Sequence, residues 1–548
     1  MIRGASFLLV LCLWSWSPGV AAVPPASGEI LLVPIDDRPA VAQFAVMIGA
    51  IADQEVRMPP AELLGRFTRP GDPEGIDRWL RAQDYRKVDA VILSADMLAY
   101  GGLIASRSPR VPAEKALERL AFFRWFRKSH PRVPVYAFSV LMRVAPTAEA
   151  SNRSWREPLA RWAELKDRVP KTGDQRLAAE LADLEQKLDP AVTADYLSAR
   201  RRDLQVNLAM LELRKDKIID SLILLQDDAR EFGLHRQDQE EIRARLRELQ
   251  LESAVPIYNG ADEGSLSLLS RAVLEKYRRV PRVMPVYSST KSREVIAPFE
   301  DQPLQYTVEH QILSSGARLA DESHPADYLL YINAPRTSDA EFSDFTRRLT
   351  ADVRQGKPVA IADILFPPPH YSGADERLIR VLEKEGLFDR LAAYAGWNTA
   401  GNALGTAIPQ ANLRILSAAV TGDSPEKAMR AQAAQIAFLL HRFCGDYIYH
   451  DVVRFEINQE LRKGSTDPTD EFTGDLYRRI NRRTEEQLRP RIEEFFRRHF
   501  RGRSYPVAAA GASAAMIIRD LTDLRIRLPW PRTFEVTVEY KVNYSLGN

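Results

Sequence analysis

Two adjacent aspartates, Asp227 and Asp228, end the hydrophobic run SLILLQDD, and no cap or counter-charge beside them in the chain accounts for both. Two carboxyls this close do not ionise independently. One pKa rises, which sets an acid beside a base or an ionised stabiliser. Hydrolysis of a glycosidic bond asks for that division of labour. Asp227 and Asp228 are therefore the candidate catalytic pair. Two other roles fit the same residues: a loop bonded to its own Asp side chains, or oxygen ligation of a cation.

Further polar residues end other apolar runs and are candidates for substrate binding. Asp36, Asp37 and Arg38 follow EILLVPI, and a carboxylate pair with a guanidinium clamps sugar hydroxyls as readily as it favours a helix start at Pro39. Asp96 and Tyr100 follow VDAVILS, ahead of a Gly101-Gly102 pair that either admits a ligand or makes a turn. Arg107 closes that segment and can pair with an Asp of the site. Asn259 and Glu263 end VPIYNGADE, whereas Asp262 fits a cap for a helix beginning near Ser265. Trp397 offers a face for a pyranose ring, and Asn398 and Asn402 offer amides to hydroxyls or an acetamide. Asn333 and Asp363 end two further runs and are weaker candidates.

The elements that position these residues are legible as a repeated theme. From Gly28 to about Gly401, eight short β-branched or Leu-rich runs alternate with helical segments. Near-continuous apolar strands of this kind belong to parallel sheets covered on both faces. Eight units suggest a (β/α)8 TIM-like barrel over residues 28–412. Two further candidate strands, EVRMPP and VMPVYSS, spoil the count, so an open doubly wound parallel sheet, or two smaller α/β domains, is the alternative. In each architecture ligands bind at the C-terminal ends of the strands, which is where the polar residues gather. A long charged helical insertion spans 148–220, as a lid or as outer packing. Residues 413–548 read as mainly helical, with a terminal strand in TFEVTVEYKV.

Composition excludes several classes. Lys and Arg number 76 against 74 Asp and Glu, a formal +2, so the chain lacks the field that nucleic-acid binding requires. The eight histidines are dispersed without HExxH spacing, which argues against a His-rich zinc site. No Walker loop, GxSxG elbow or GxGxxG after the first strand occurs, and no cofactor is expected. MIRGAS, the apolar FLLVLCLWSW and PGVAA lay out a secretory signal peptide over residues 1–22, with cleavage after Ala22. Cys12 lies within it and leaves Cys444 alone, without an internal disulfide. The mature chain is expected in the periplasm or outside the cell, with no stable membrane insertion.

PIDDRP at Pro34–Pro39, SADMLAYGGLIASR at Ser94–Arg107, QDD at Gln226–Asp228, NGADEG from Asn259 and GWNTAGNALGTA from Gly396 form an ordered series. Together they resemble a bacterial family catalogued as a domain of unknown function, and the resemblance implies no activity. Adjacent acids at the end of a fourth strand also look, by position alone, like substrate-assisted N-acetylhexosaminidases. There one carboxylate orients the substrate acetamide and the other protonates the leaving oxygen. The leading expectation is an exported carbohydrate-active hydrolase acting on small-molecule or oligosaccharide substrates of N-acetylhexosaminide type. Its rivals are a hydrolase holding Mg²⁺, Mn²⁺ or Ca²⁺ on Asp36, Asp96, Asp227 and Asp228, and a non-catalytic periplasmic carbohydrate-binding protein.

Overall fold

In the computed structural model, which describes residues 28–366, 373–422, 424–509 and 512–547, the apolar runs form strands as their patterning requires. The signal peptide expected at 1–22 lies outside the described residues. In chain order the strands are β1 (Glu29–Val33), β2 (Glu55–Arg57), β3 (Val88–Ser94), β4 (Val135–Leu141), β5 (Ser221–Gln226) and β6 (Ile257–Asn259). There follow β7 (Arg282–Tyr287), β8 (Arg318–Leu319), β9 (Tyr328–Asn333), β10 (Val359–Asp363) and β11 (Ala393–Ala395).

All eleven are parallel, but they do not close into one barrel. They make two open sheets, ordered β2-β1-β3-β4-β5-β6 and β11-β10-β9-β7-β8. The α/β class and the open, parallel alternative hold; the barrel gives way to two sheets. Read from β8, the second sheet repeats the order of the first, with its second strand on the edge, its first beside it, then the third, fourth and fifth. That order places a topological switch point between β1 and β3 and another between β7 and β9, where crevices open at the carboxyl ends.

The sheets are joined by a shared core. One face of the first sheet (Ile30, Leu32, Ile92, Phe138, Leu225) and one face of the second (Leu330, Ile332, Ala360, Ala362) pack against the helices Gln43–Ile51, Gly264–Lys276, Leu304–Ser314 and Ala400–Thr421 in one buried cluster. Ala400–Thr421 packs on β9, β10 and β11 on one side and on the helices Gln43–Ile51, Gly264–Lys276 and Leu304–Ser314 on the other, which is why it is buried through most of its length. The domain boundary expected at 412–413 falls inside this helix. The opposite faces carry separate cores, the first sheet under the helices between β2 and β6, the second under the C-terminal helices.

Between β4 and β5 the insertion is three helices, Arg156–Thr172, Gln175–Lys187 and Pro190–Lys215. The C-terminal region comprises helices Pro425–Arg442, Arg454–Lys463 and Gly474–His499, with wide π-type turns over Phe443–Val453. It ends in an antiparallel sheet of β12 (Ser504–Ala509), β13 (Ala512–Arg527) and β14 (Thr537–Gly547), three strands where the sequence suggests one. Among the described residues no helix is long and apolar enough to cross a membrane.

Candidate functional site

The register of β4 against β5, Tyr136 beside Ser221 through Leu141 beside Gln226, determines what stands next to the aspartates. The ladder continues past both strands: Asp227 donates its N–H to the Leu141 carbonyl (3.2 Å), and Val144 donates to the Asp228 carbonyl (3.4 Å). Arg143 is thereby delivered to Asp228, Nη2 to Oδ2 at 2.7 Å. Arg107 reaches the pair from the segment after β3, donating from Nη2 to Asp227 Oδ2 (2.5 Å) and from Nη1 to Thr147 Oγ1 (2.8 Å). Asp227 Oδ1 accepts the Asp228 N–H at 2.8 Å. The counter-charges missing from the local sequence come from the segments that follow two other strands, β3 and β4. The helix after the pair starts at Leu234, and Asp227 and Asp228 do not cap it.

The two carboxyls are driven apart. Burial pushes Asp227 up, but Arg107, then Arg143 and the Asp228 N–H, outweigh it and hold Asp227 below the ordinary carboxylate range. Burial also raises Asp228; Arg143 opposes it without cancelling it, and the charge on Asp227 adds to the rise. The pair thus sets a carboxyl held below the ordinary range beside one held above it.

A second charged node closes the site. The Arg38 guanidinium is held by Asp36 (Nη2 to Oδ2, 2.7 Å) and, through both terminal nitrogens, by Asp262 (2.6 and 3.0 Å). It lies over the Trp530 ring, 4.9 Å from the centroid, and the Trp530 indole N–H donates to Asp37 at 2.5 Å. Burial, countered in part by the Trp530 bond, raises Asp37 to about 6. Asp262 thus serves Arg38 instead of capping: the helix starts at Gly264 without a side-chain cap. Burial, only partly offset by Arg38, raises Asp262 to about 6.

These groups surround a cavity of about 450 Å³, large enough for a small ligand. Of the expected residues, Asp227, Asp228, Arg38, Asn259, Asn398 and Asn402 line it. Asn259 donates to Asp301 (3.0 Å) and keeps a buried, unpartnered Oδ1. Asn398 has φ 58°, an uncommon backbone conformation that recurs at functional sites, and donates to Asn402 Oδ1 at 2.6 Å. Asn402 is anchored in turn on Glu263 (3.1 Å), whose carboxyl burial raises to about 8.

The other expected residues stand back from the cavity. Asp36 lies behind Arg38, and Glu263 lies behind Asn402. Asp37 lines a neighbouring groove with Tyr477 and Tyr540. Asp96 is buried, taking the Val140 N–H (3.0 Å) where β4 outruns β3, and Tyr100 is buried beneath the Arg202 guanidinium. Trp397 packs in the core against Phe44 and donates to Thr406 (3.3 Å), so it offers no stacking face. The Gly101-Gly102 pair serves backbone packing: a Cβ on Gly102 would meet the Ile35 carbonyl at 2.8 Å. Asn333 and Asp363 bond to each other at the carboxyl ends of β9 and β10, interior strands of the second sheet (2.8 Å).

Sequence reasoning missed Arg143, Phe299, Trp530 and Arg532, all on the cavity wall. Arg143 was visible as the basic end of YAFSVLMR. Phe299 is 55% exposed, has φ 66°, and accepts the Ala229 N–H at 2.8 Å, which binds it to the aspartate turn. An apolar ring held in solvent on such a backbone suits a sugar face. Phe299→Ala is expected to weaken binding of a ligand that stacks on the ring about fivefold, on the order of one ring contact. Phe299→Trp is expected to retain affinity.

The four carboxylates expected to hold a hard cation do not meet. Asp36 and Asp96 are engaged elsewhere, and among the described residues no three His, Cys, Asp or Glu side chains could hold a metal ion. Residues 30–539 match the family model described as Protein of unknown function (DUF4127), and the chain belongs to that family. No curated protein and no solved structure matches it.

Proposed function

We propose that this DUF4127 chain is an exported hydrolase that cleaves a glycosidic bond of an N-acetylhexosaminide-type substrate. The observation that carries the reading is the displacement of two adjacent carboxyls in opposite directions at the floor of one cavity. Environments that push paired pKa values apart assign acid and base roles.

Asp228 gives its proton to the glycosidic oxygen as the bond to the anomeric carbon breaks. The substrate's acetamide oxygen closes on that carbon, with Asp227, kept ionised by Arg107, accepting the acetamide N–H. Water then opens the cyclic intermediate, its proton returning to Asp228. The net change is one water consumed and one glycosidic bond broken. Asn259 and Asn398 supply amides for the ring substituents.

The test is turnover of a panel of chromogenic glycosides and N-acetylhexosaminides by the chain from Val23 onward, with and without EDTA. Release of chromophore that EDTA leaves unchanged supports the reading. Loss on chelation would transfer the chemistry to a cation, and silence across the panel would remove its support. Export is tested separately: the mature chain recovered from the periplasm or medium is expected to begin at Val23.

A further inference from the structure

The cavity is polarised. Its sheet side holds Asp227, Asp228 and Asp262, each with an arginine partner of its own. Its other wall comes from the C-terminal region and is cationic. The helix Arg454–Lys463 presents Arg454, Asn458 and Arg462 to the cavity at i, i+4 and i+8, one face of the helix. The acidic residues of the same helix are engaged by other arginines, Glu456 by Arg491 (3.0 Å) and Glu460 by Arg483 (3.1 Å). Arg532 stands beside this face, held by Glu535 and lying over Trp530. Arg454 contacts His450 Nδ1 (3.1 Å) and lies over Phe534, 4.7 Å from the centroid. Arg462 is exposed, and no carboxylate lies within ion-pair distance of it among the described residues. Asn458 Oδ1 accepts the Thr533 hydroxyl (2.7 Å), which leaves its amide N–H groups for a ligand.

Guanidinium groups beside an amide donor, with the helix carboxylates turned away, are chemistry for an anion. Arginine forks match carboxylate and phosphate oxygens in geometry and charge, whereas a neutral sugar accepts their hydrogen bonds but leaves their charge uncompensated. We propose that the ligand of this cavity is an acidic saccharide, whose carboxylate or phosphate sits against Arg454, Asn458 and Arg462 while its glycosidic bond lies over Asp227 and Asp228. The proposal rests on the glycosidase reading for the bond, but the anion site stands on its own geometry.

Calorimetric binding of two probe pairs tests it: digalacturonate against its neutral dimethyl ester, and glucose 6-phosphate against glucose. A preference of about tenfold or more for either charged member, weakening as salt rises, supports the proposal and tells carboxylate from phosphate. In Arg462→Gln that preference is expected to fall about fivefold, the scale of one exposed charge contact, with Arg462→Lys intermediate. Because Arg462 is exposed, the variant is expected to fold as wild type does. Equal affinity within both pairs, or no binding of any probe, overturns the proposal. Turnover of neutral glycosides without anion preference overturns it and spares the hydrolase. Anion preference without turnover of any glycoside, charged or neutral, upholds the anion site and overturns the hydrolase.

Discussion

Asp228→Asn is expected to lower kcat by about two orders of magnitude or more on any glycoside with a poor leaving group, the scale of a lost general acid. The amide fills the same space and still meets Arg143, but it has no proton to give. The loss is expected to shrink on aryl glycosides whose leaving oxygen needs no proton. Asp227→Asn is expected to cost as much on both substrate types, because an ionised stabiliser is needed whatever leaves. A pH profile of the wild-type enzyme is expected to be bell-shaped. Its acid limb reports protonation of the group held low by Arg107, and its alkaline limb reports loss of the proton from the group raised by burial. Equal losses of less than about tenfold in both variants would sink the assignment, since a spectator pair is indifferent to amide replacement.

Arg107→Met is expected to have the second-largest effect, and it falls on stability as well as rate. Arg107 and Asp227 are both buried, with side chains 8% and 7% exposed. Removing one partner of such a pair typically costs about 3–5 kcal/mol, because the other charge is left in a poorly solvating place. Asp227 in the wild type sits below its unfolded value of about 4, so its contribution is present above that pH and fades as the pH falls through the folded pKa. Without Arg107 the first cause, burial, has less to oppose it and the folded pKa rises. The destabilisation is therefore expected to be small near pH 4 and to grow as the pH rises towards the new value. Urea midpoints at pH 4 and pH 8 measure it. Asp227→Asn in the same background is expected to restore part of the loss at pH 8, since it removes the stranded charge. The acid limb of the rate profile is expected to move to higher pH in Arg107→Met, whereas Arg143→Met is expected to move the alkaline limb up, because Arg143 opposes the rise at Asp228.

The strands were legible for a physical reason. A strand buried on both faces reads as an unbroken apolar run, and every run singled out, including EVRMPP and VMPVYSS that spoiled an eightfold count, is a strand of one parallel sheet or the other. The sheet to which each belongs was not legible, because both sheets use the same pattern and the same strand order. Closure or separation depends on which helices are sandwiched. Ala400–Thr421 is such a helix, buried between the sheets, and nothing in its local sequence distinguishes that from packing under a barrel wall.

The site divides along the same line. That polar chemistry gathers at strand ends follows from the sequence, and Asp227, Asp228, Arg38, Arg107, Asn259, Asn398 and Asn402 among the residues so marked do line one cavity. Trp397 shows the limit: its type suits a sugar face, but its place in the chain puts it against Phe44. Asp262 shows another, since a residue spaced to cap a helix is drawn instead to an arginine 224 positions away.

By itself, then, the amino-acid sequence determined the α/β class, ten of the eleven parallel strands and the two carboxyls whose adjacency makes independent ionisation impossible. Only the tertiary structure decided which carboxyl is held low and which is raised. That outcome depends on charges within about 4–6 Å, and the arginine beside Asp227 is 120 residues distant in the chain. Trp530 reaches Asp37 across 493 residues to close the same cavity. Strand pairing and helix burial set such distances, and neither is written in the residues that meet.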